Sequence, residues 1–216
     1  MTVSVAKHFE KRHQILASYT LSKAEDNSTD FQNAFIPESN GFGRNPADPT
    51  GLPVGFDPSS EKGASLSDRR HRFVLSGAYA LPKSIKLAAI ASVASGRPYN
   101  ILAGVDLNGD GDGGSFPPDR ARRNPADPAS SVARNSGRLP TEATLDIRVS
   151  RRFRAIGPIR IDAMFEVFNL FNRTNFTEAN NVFGTGSYPT QPLPTFGQFE
   201  RAGPPRQVQL GIKFDF

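Results

Sequence analysis

Arg206-Gln-Val-Gln-Leu-Gly-Ile-Lys-Phe-Asp-Phe216 alternates without a break, Val208, Leu210, Ile212, Phe214 and Phe216 falling at every second position. Gln207, Gln209, Gly211, Lys213 and Asp215 stand between them. Successive side chains of a strand point to opposite faces, so this stretch reads as one strand with two different surroundings. About ten residues is also what a tilted strand needs to cross a bilayer, apolar toward lipid and polar toward a wet lumen. A half-buried strand of a soluble sandwich would carry the same period, so the pattern elsewhere has to separate the two.

Working back, Ala143, Leu145, Ile147, Val149 and Phe153 interleave with Thr144, Asp146, Arg148, Ser150 and Arg152. The turn Ala155-Ile-Gly-Pro158 follows, and then Ile159, Ile161, Ala163, Phe165 and Val167 alternate with Arg160, Asp162, Met164 and Glu166. The pair reads as a hairpin with an apolar outside and an ionic inside, its carboxylates facing arginines across one wall. A soluble sandwich would instead pack the apolar faces of all its strands against one another.

Earlier segments repeat the theme. Val3, Val5 and Phe9 mark a first strand, Gln14 to Lys23 a second, Phe73 to Tyr79 a third and Ile85 to Val93 a fourth. With the hairpin and the terminal strand the total is seven. Glu10-Lys-Arg-His13, Pro82-Lys-Ser84 and the 155–158 turn are tight, whereas roughly 24–67, 97–140 and 172–205 are long, rich in Pro, Gly and Asn, and without period. Connections longer than about fifteen residues are uncommon in compact domains, and here all three fall on one end of the sheet. Outer-membrane barrels have short periplasmic turns and long external loops, which puts the carboxyl terminus on the periplasmic side. The expected fold is therefore all-β: a partial antiparallel transmembrane β-barrel of about seven meandering strands. Single-chain bacterial barrels use an even number of strands, so part of the wall is expected upstream.

Composition bounds the function. The 216 residues carry a formal charge of +5 and no cysteine, which removes disulfides, thiol catalysis and thiolate metal sites. Mean hydropathy is negative, as a barrel allows because half of each strand faces water. No run reaches the roughly eighteen apolar residues of a transmembrane helix, and the amino terminus lacks the apolar core of a signal peptide. Basic clusters such as Arg69-Arg70-His71-Arg72 and Arg120-Ala-Arg122-Arg123 sit at strand ends, without a recognition helix and mixed with aspartates. Nucleic acid is accordingly not an expected partner, whereas Arg69, Arg70 and Arg72 fit either lipopolysaccharide phosphates or plain solvated charge at a strand end.

Ala17-Ser-Tyr-Thr-Leu-Ser-Lys-Ala-Glu-Asp-Asn27, Asp68-Arg-Arg-His-Arg-Phe-Val-Leu-Ser76, Ser95-Gly-Arg-Pro-Tyr99 and Phe165-Glu-Val-Phe-Asn-Leu-Phe-Asn-Arg-Thr-Asn-Phe176 together resemble the carboxyl-terminal barrel of TonB-dependent receptors, nearest the Oar-like branch. The resemblance spans nearly all of residues 1–216 and implies a large plugged outer-membrane barrel that takes up a scarce ligand with energy passed by TonB. Neither plug, signal peptide nor TonB-contacting segment is recognisable in these residues, so contact with TonB is expected only through a plug lying elsewhere. Phe214 and Phe216 resemble the terminal signal read by the barrel-assembly machinery. A surface adhesive or structural protein, whose barrel merely anchors loops, is the alternative from a different class. Its discriminator is an upstream plug.

One acidic loop could carry a cation. Asp106-Leu-Asn-Gly-Asp-Gly-Asp112 places Asp106, Asn108, Asp110 and Asp112 at alternate positions, the front half of a calcium loop. The twelfth position, which needs a bidentate glutamate, is Pro117, so any calcium site must be completed elsewhere, with Asp119 a candidate; an ordinary solvated Asx-Gly turn uses the same residues. Gly109-x-Gly-x-x-Gly114 leads into Phe116-Pro-Pro118 rather than a helix, which excludes a dinucleotide site. Arg-Asn-Pro-Ala-Asp-Pro occurs at 44–49 and again at 123–128, as a turn former. His8, His13 and His71 are scattered, no G-x-S-x-G or H-E-x-x-H occurs, and enzymatic activity is not expected.

Overall fold

The computed structural model describes residues 1–9, 13–27, 62–107, 119–154 and 159–215. In chain order its strands are β1 (Thr2–Phe9), β2 (His13–Leu21), β3 (Glu25–Asp26), β4 (Gly63–Ala64), β5 (His71–Leu81), β6 (Ile85–Ala94) and β7 (Pro98–Tyr99). They continue as β8 (Gly137–Arg138), β9 (Glu142–Arg154), β10 (Arg160–Phe168), β11 (Phe176–Ala179), β12 (Phe199–Ala202) and β13 (Gln207–Asp215). The seven long strands form one sheet in the order β1-β2-β5-β6-β9-β10-β13, each antiparallel to the next. This is a meander, as the alternation of the sequence requires.

Register converts the period of two into continuous faces. Tyr79 pairs with Leu87, Leu87 with Val149, Val149 with Phe165 and Phe165 with Leu210, so five apolar side chains lie in line across five strands. On the opposite face Lys86 pairs with Ser150, Arg152 with Asp162 and Asp162 with Lys213. A one-residue slip anywhere would mix the faces, and the strong contrast between them is what specifies the pairing.

No second layer covers the apolar face among the described residues. Phe165 is 44% exposed and Leu210 78%, and of the buried hydrophobic residues only Val167 belongs to the seven-stranded sheet. Sandwich packing would bury these side chains together, and it does not occur. The rest of the buried apolar residues, including Ile101, Ala121, Val132 and Phe183, lie in the long connections.

Because each of the six pairings is antiparallel, β1 and β13 run in the same direction at the two open edges. Joining β13 of one copy to β1 of another would make a parallel pair. A wholly antiparallel wall closing between these edges therefore requires an odd number of further strands.

Tight turns and long connections alternate as the spacing predicts. At the β5–β6 turn Lys83 (φ 61°) and Ser84 (φ 58°) take the left-handed conformation, uncommon for residues other than Gly, Asn and Asp. The 10–12 and 155–158 turns lie outside the described residues.

Candidate functional site: the folded external connections

The described parts of the three long connections knit into one unit over the end of the sheet opposite the tight turns. Each begins with a short ribbon, β3 with β4, β7 with β8, and β11 with β12. Between the second and third connections Leu102 N donates to Asn181 O (2.9 Å) and Phe183 N to Leu102 O (2.7 Å). Ile101, Ala121, Val132 and Phe183 form its buried centre, with Tyr99, Tyr188 and Phe196 packed around it. The Phe183 ring meets Tyr188 and Phe196 edge-on, at 5.1 and 5.2 Å between centroids.

Charged tethers fasten the first connection to the second. Arg134, buried, holds the Asp26 carboxylate, and Asn135 donates through Nδ2 to Ala64 O (2.7 Å) while its N–H reaches Asn100 Oδ1 (2.7 Å). Asn135 sits at φ 51°, a conformation asparagine tolerates better than most residues. Arg138 Nη2 donates to the fully buried Asp68 carboxylate at 2.6 Å, and Ala24 N donates to its other oxygen at 2.9 Å. Arg69 fastens this unit to the sheet, gripping both oxygens of Glu142 and the carbonyl of Ser95.

Burial raises the affinity of Asp68 for its proton, but the Ala24 N–H and the Arg138 guanidinium outweigh it, and the carboxyl is held below its ordinary value. A depressed folded-state pKa stabilises the tether above the unfolded value, about 3.9, and that contribution is lost as pH falls through the lower folded value. Spin labels at the exposed Lys62 and Ala133, in a chain free of native cysteine, should hold a narrow distance distribution at pH 7 and broaden in strong acid. Asp68→Asn should show the broad distribution already at pH 7. Identical distributions for the wild-type chain at pH 7 and pH 2 would refute the tether.

The Phe-Asn-Leu-Phe-Asn element acquires a physical role at the end of β10. Asn169, buried at φ 49°, accepts Arg173 N (3.0 Å), donates to Arg173 O and Pro204 O, and offers its own N–H to Asp146 (2.8 Å). Asn172 (φ 52°) accepts Arg206 N at 2.9 Å. The two asparagines thus pin both ends of the third connection to the rim. Asn169→Ala forfeits the side-chain bonds and forces an ordinary residue into the left-handed region, a loss of about 2–4 kcal/mol by the usual magnitudes. Urea unfolding of the reconstituted sheet should register it, whereas Asn169→Gly should cost less because glycine keeps the backbone conformation.

Other expected sites divide. The inner-wall ion pairs form between Arg148 and Glu166 (2.7 Å) and between Arg152 and Asp162 (2.6 Å), but Asp146 serves Asn169 instead of an arginine. Of the basic cluster, Arg69 is committed to Glu142, His71 Nδ1 lies 2.7 Å from the Tyr19 hydroxyl, and Arg72 shares the inner face with Ser92 and Thr20. The second Arg-Asn-Pro-Ala-Asp-Pro copy is a turn, with Asn124 Oδ1 accepting Ala126 N and Asp127 Oδ1 capping the 3-10 turn at Ala129 N. Its first copy, at 44–49, lies outside the described residues, as do Asn108, Asp110, Asp112 and Phe216. Asp119 is buried and accepts Leu107 N through Oδ2 at 2.6 Å. Among the described residues no group of three or more His, Asp or Glu is placed to hold a metal.

A cleft of about 440 Å³ opens where the three connections meet, bounded by Leu66 from the first, Arg97, Tyr99 and Leu139 from the second, and Glu178 and Glu200 from the third. Burial, with Tyr188 nearby, pushes the Tyr99 phenol above its usual range. Nothing in the sequence announced this cleft, because its walls come from segments far apart in the chain.

A sheet greasy on its uncovered outer face and ionic on its inner face, tight turns at one rim and a folded loop unit at the other, defines the wall of an outer-membrane β-barrel. Residues 1–209 match the family model of the outer membrane beta barrel domain, and the chain belongs to that family. It resides in the outer membrane. No curated protein sequence matches it.

Proposed function

We propose that this chain forms part of the barrel wall of a TonB-dependent receptor that binds a ligand at the cell surface and passes it inward. The observation that carries the reading is the joined external unit, in which described residues of all three long connections line one cleft at the rim of an ionic wall. An adhesive protein needs loops that reach outward, whereas the described parts of these connections pack against one another at the rim of the sheet. In this reading outer-membrane lipid and lipopolysaccharide surround the sheet, and Phe214 with Phe216 serves as the signal for the barrel-assembly machinery.

Receptor extracted intact from outer membranes should capture the purified periplasmic domain of TonB, and capture should vanish when the candidate plug is removed. Failure of the intact receptor to bind that domain would transfer the protein to the adhesive class.

A further inference from the structure

The cleft between the three connections holds two opposite charges that its own structure leaves uncommitted. The Arg97 guanidinium has no ion-pair partner among the described residues; its backbone carbonyl merely accepts Leu139 N at 2.9 Å. Glu200, on β12, likewise has none, while its neighbour Glu178 is already neutralised by Arg201 at 3.1 Å. The same cleft is lined by the apolar and aromatic Leu66, Pro98, Tyr99 and Leu139, with Thr177 and Asn181 adding polar groups.

The wall is rigid. Gly137 lies so close to Tyr99 that a Cβ would stand 2.5 Å from ring atom Cε2, and Gly96 is pressed as tightly on the backbone of Leu139. Tyr99 packs behind on the buried cluster around Phe183, and the Leu102–Asn181 hydrogen bond fixes the third connection against the second. Such preorganisation lowers the ordering cost of binding. At about 440 Å³ the cleft falls toward the small end of ligand sites, which run from about 300 to 1,000 Å³.

We infer that this cleft binds a short peptide with free ends, its amino group on Glu200, its carboxylate on Arg97 and an apolar side chain between them. A guanidinium and a carboxylate are the groups that pair with those two termini, and charge-assisted bonds of this kind carry both strength and orientation. A purely anionic ligand would meet Glu200, and a purely cationic one Arg97. The inference deepens the uptake reading and rests on it for the fate of the peptide.

The test is equilibrium binding of radiolabelled Ala-Leu-Ala to outer-membrane vesicles carrying the whole receptor, against vesicles lacking it. Acetylating the amino end should weaken binding about tenfold or more, and so should amidating the carboxyl end. Glu200→Gln should reproduce the first loss and Arg97→Gln the second, and each substitution should make the matching blocked peptide no worse than the free one. Both residues are exposed, so neither change disturbs the buried centre. No binding of the free peptide, or binding indifferent to both end charges, overturns the proposal, the latter assigning the cleft to a neutral ligand. Binding retained while TonB capture fails sinks the uptake reading alone; capture retained without binding sinks the cleft alone.

Discussion

Phe183→Ala should dismantle the external unit while leaving the seven-stranded sheet assembled. The ring is 1% exposed, and its backbone is held on both sides, by Leu102 O and by the N–H of Leu193. Truncating a fully buried phenylalanine costs about 3–5 kcal/mol, from lost transfer energy and the cavity left behind. Its buried companions, Ile101, Ala121 and Val132, are smaller than the ring they would have to replace, and Tyr188 and Phe196 would lose the partner of their edge-on contacts. Limited proteolysis of reconstituted protein should cut within 97–140 and 172–205 much faster than in the unaltered chain, with the strands still protected. Phe171→Ala, removing a ring that is 76% exposed, should alter nothing comparable. Equal cleavage of Phe183→Ala and the unaltered chain would show that the connections are not held by this cluster.

The second large effect is a matter of face. Ile147 lies near the middle of β9 and pairs with Ala89 and Val167 on the uncovered apolar side; Ser150, three residues on, shares the inner side with Lys86 and Met164. An arginine at the bilayer midplane of a barrel costs about 2–4 kcal/mol, whereas one in the wet lumen costs little. Ile147→Arg should accordingly lower the unfolding free energy in lipid vesicles by about that amount, and Ser150→Arg by less than about 1 kcal/mol. Equal penalties, or the reverse order, would place β9 with the wrong side toward lipid. The same logic frames Arg151, which stands on the outer face between Ile85 and Ala163 with its guanidinium 4.7 Å from the Phe153 ring centre. It lies near the end of the strand, where a long cationic side chain reaches the headgroups.

The sheet was legible because a strand repeats every two residues and a meander pairs neighbours in sequence. Once the 155–158 turn is recognised, the facing of Arg148 toward Glu166 and of Arg152 toward Asp162 follows from register alone. The external unit was not legible. Asp68 and Arg138 stand 70 residues apart, and Ile101, Val132 and Phe183 come from two connections with no period, so no local pattern marks them as partners. Asn169 and Asn172 drew attention as part of a recognisable element, but their work lies in left-handed backbone geometry and in bonds to Arg173, Pro204 and Arg206. The cleft was invisible for the same reason as the tethers. Its lining residues are ordinary one by one and become a site only when three excursions meet.

Lipid contact along the outer face is the claim on which everything else stands, and fluorescence quenching measures it directly. A bimane probe placed in turn at Leu145, Phe165 and Leu210 should be strongly quenched by doxyl-labelled acyl chains in reconstituted vesicles, while one at Ser150 should be quenched only by a water-soluble agent. Probes at the first three positions that ignored both quenchers would report a dry protein interior, and the barrel wall would have to be abandoned.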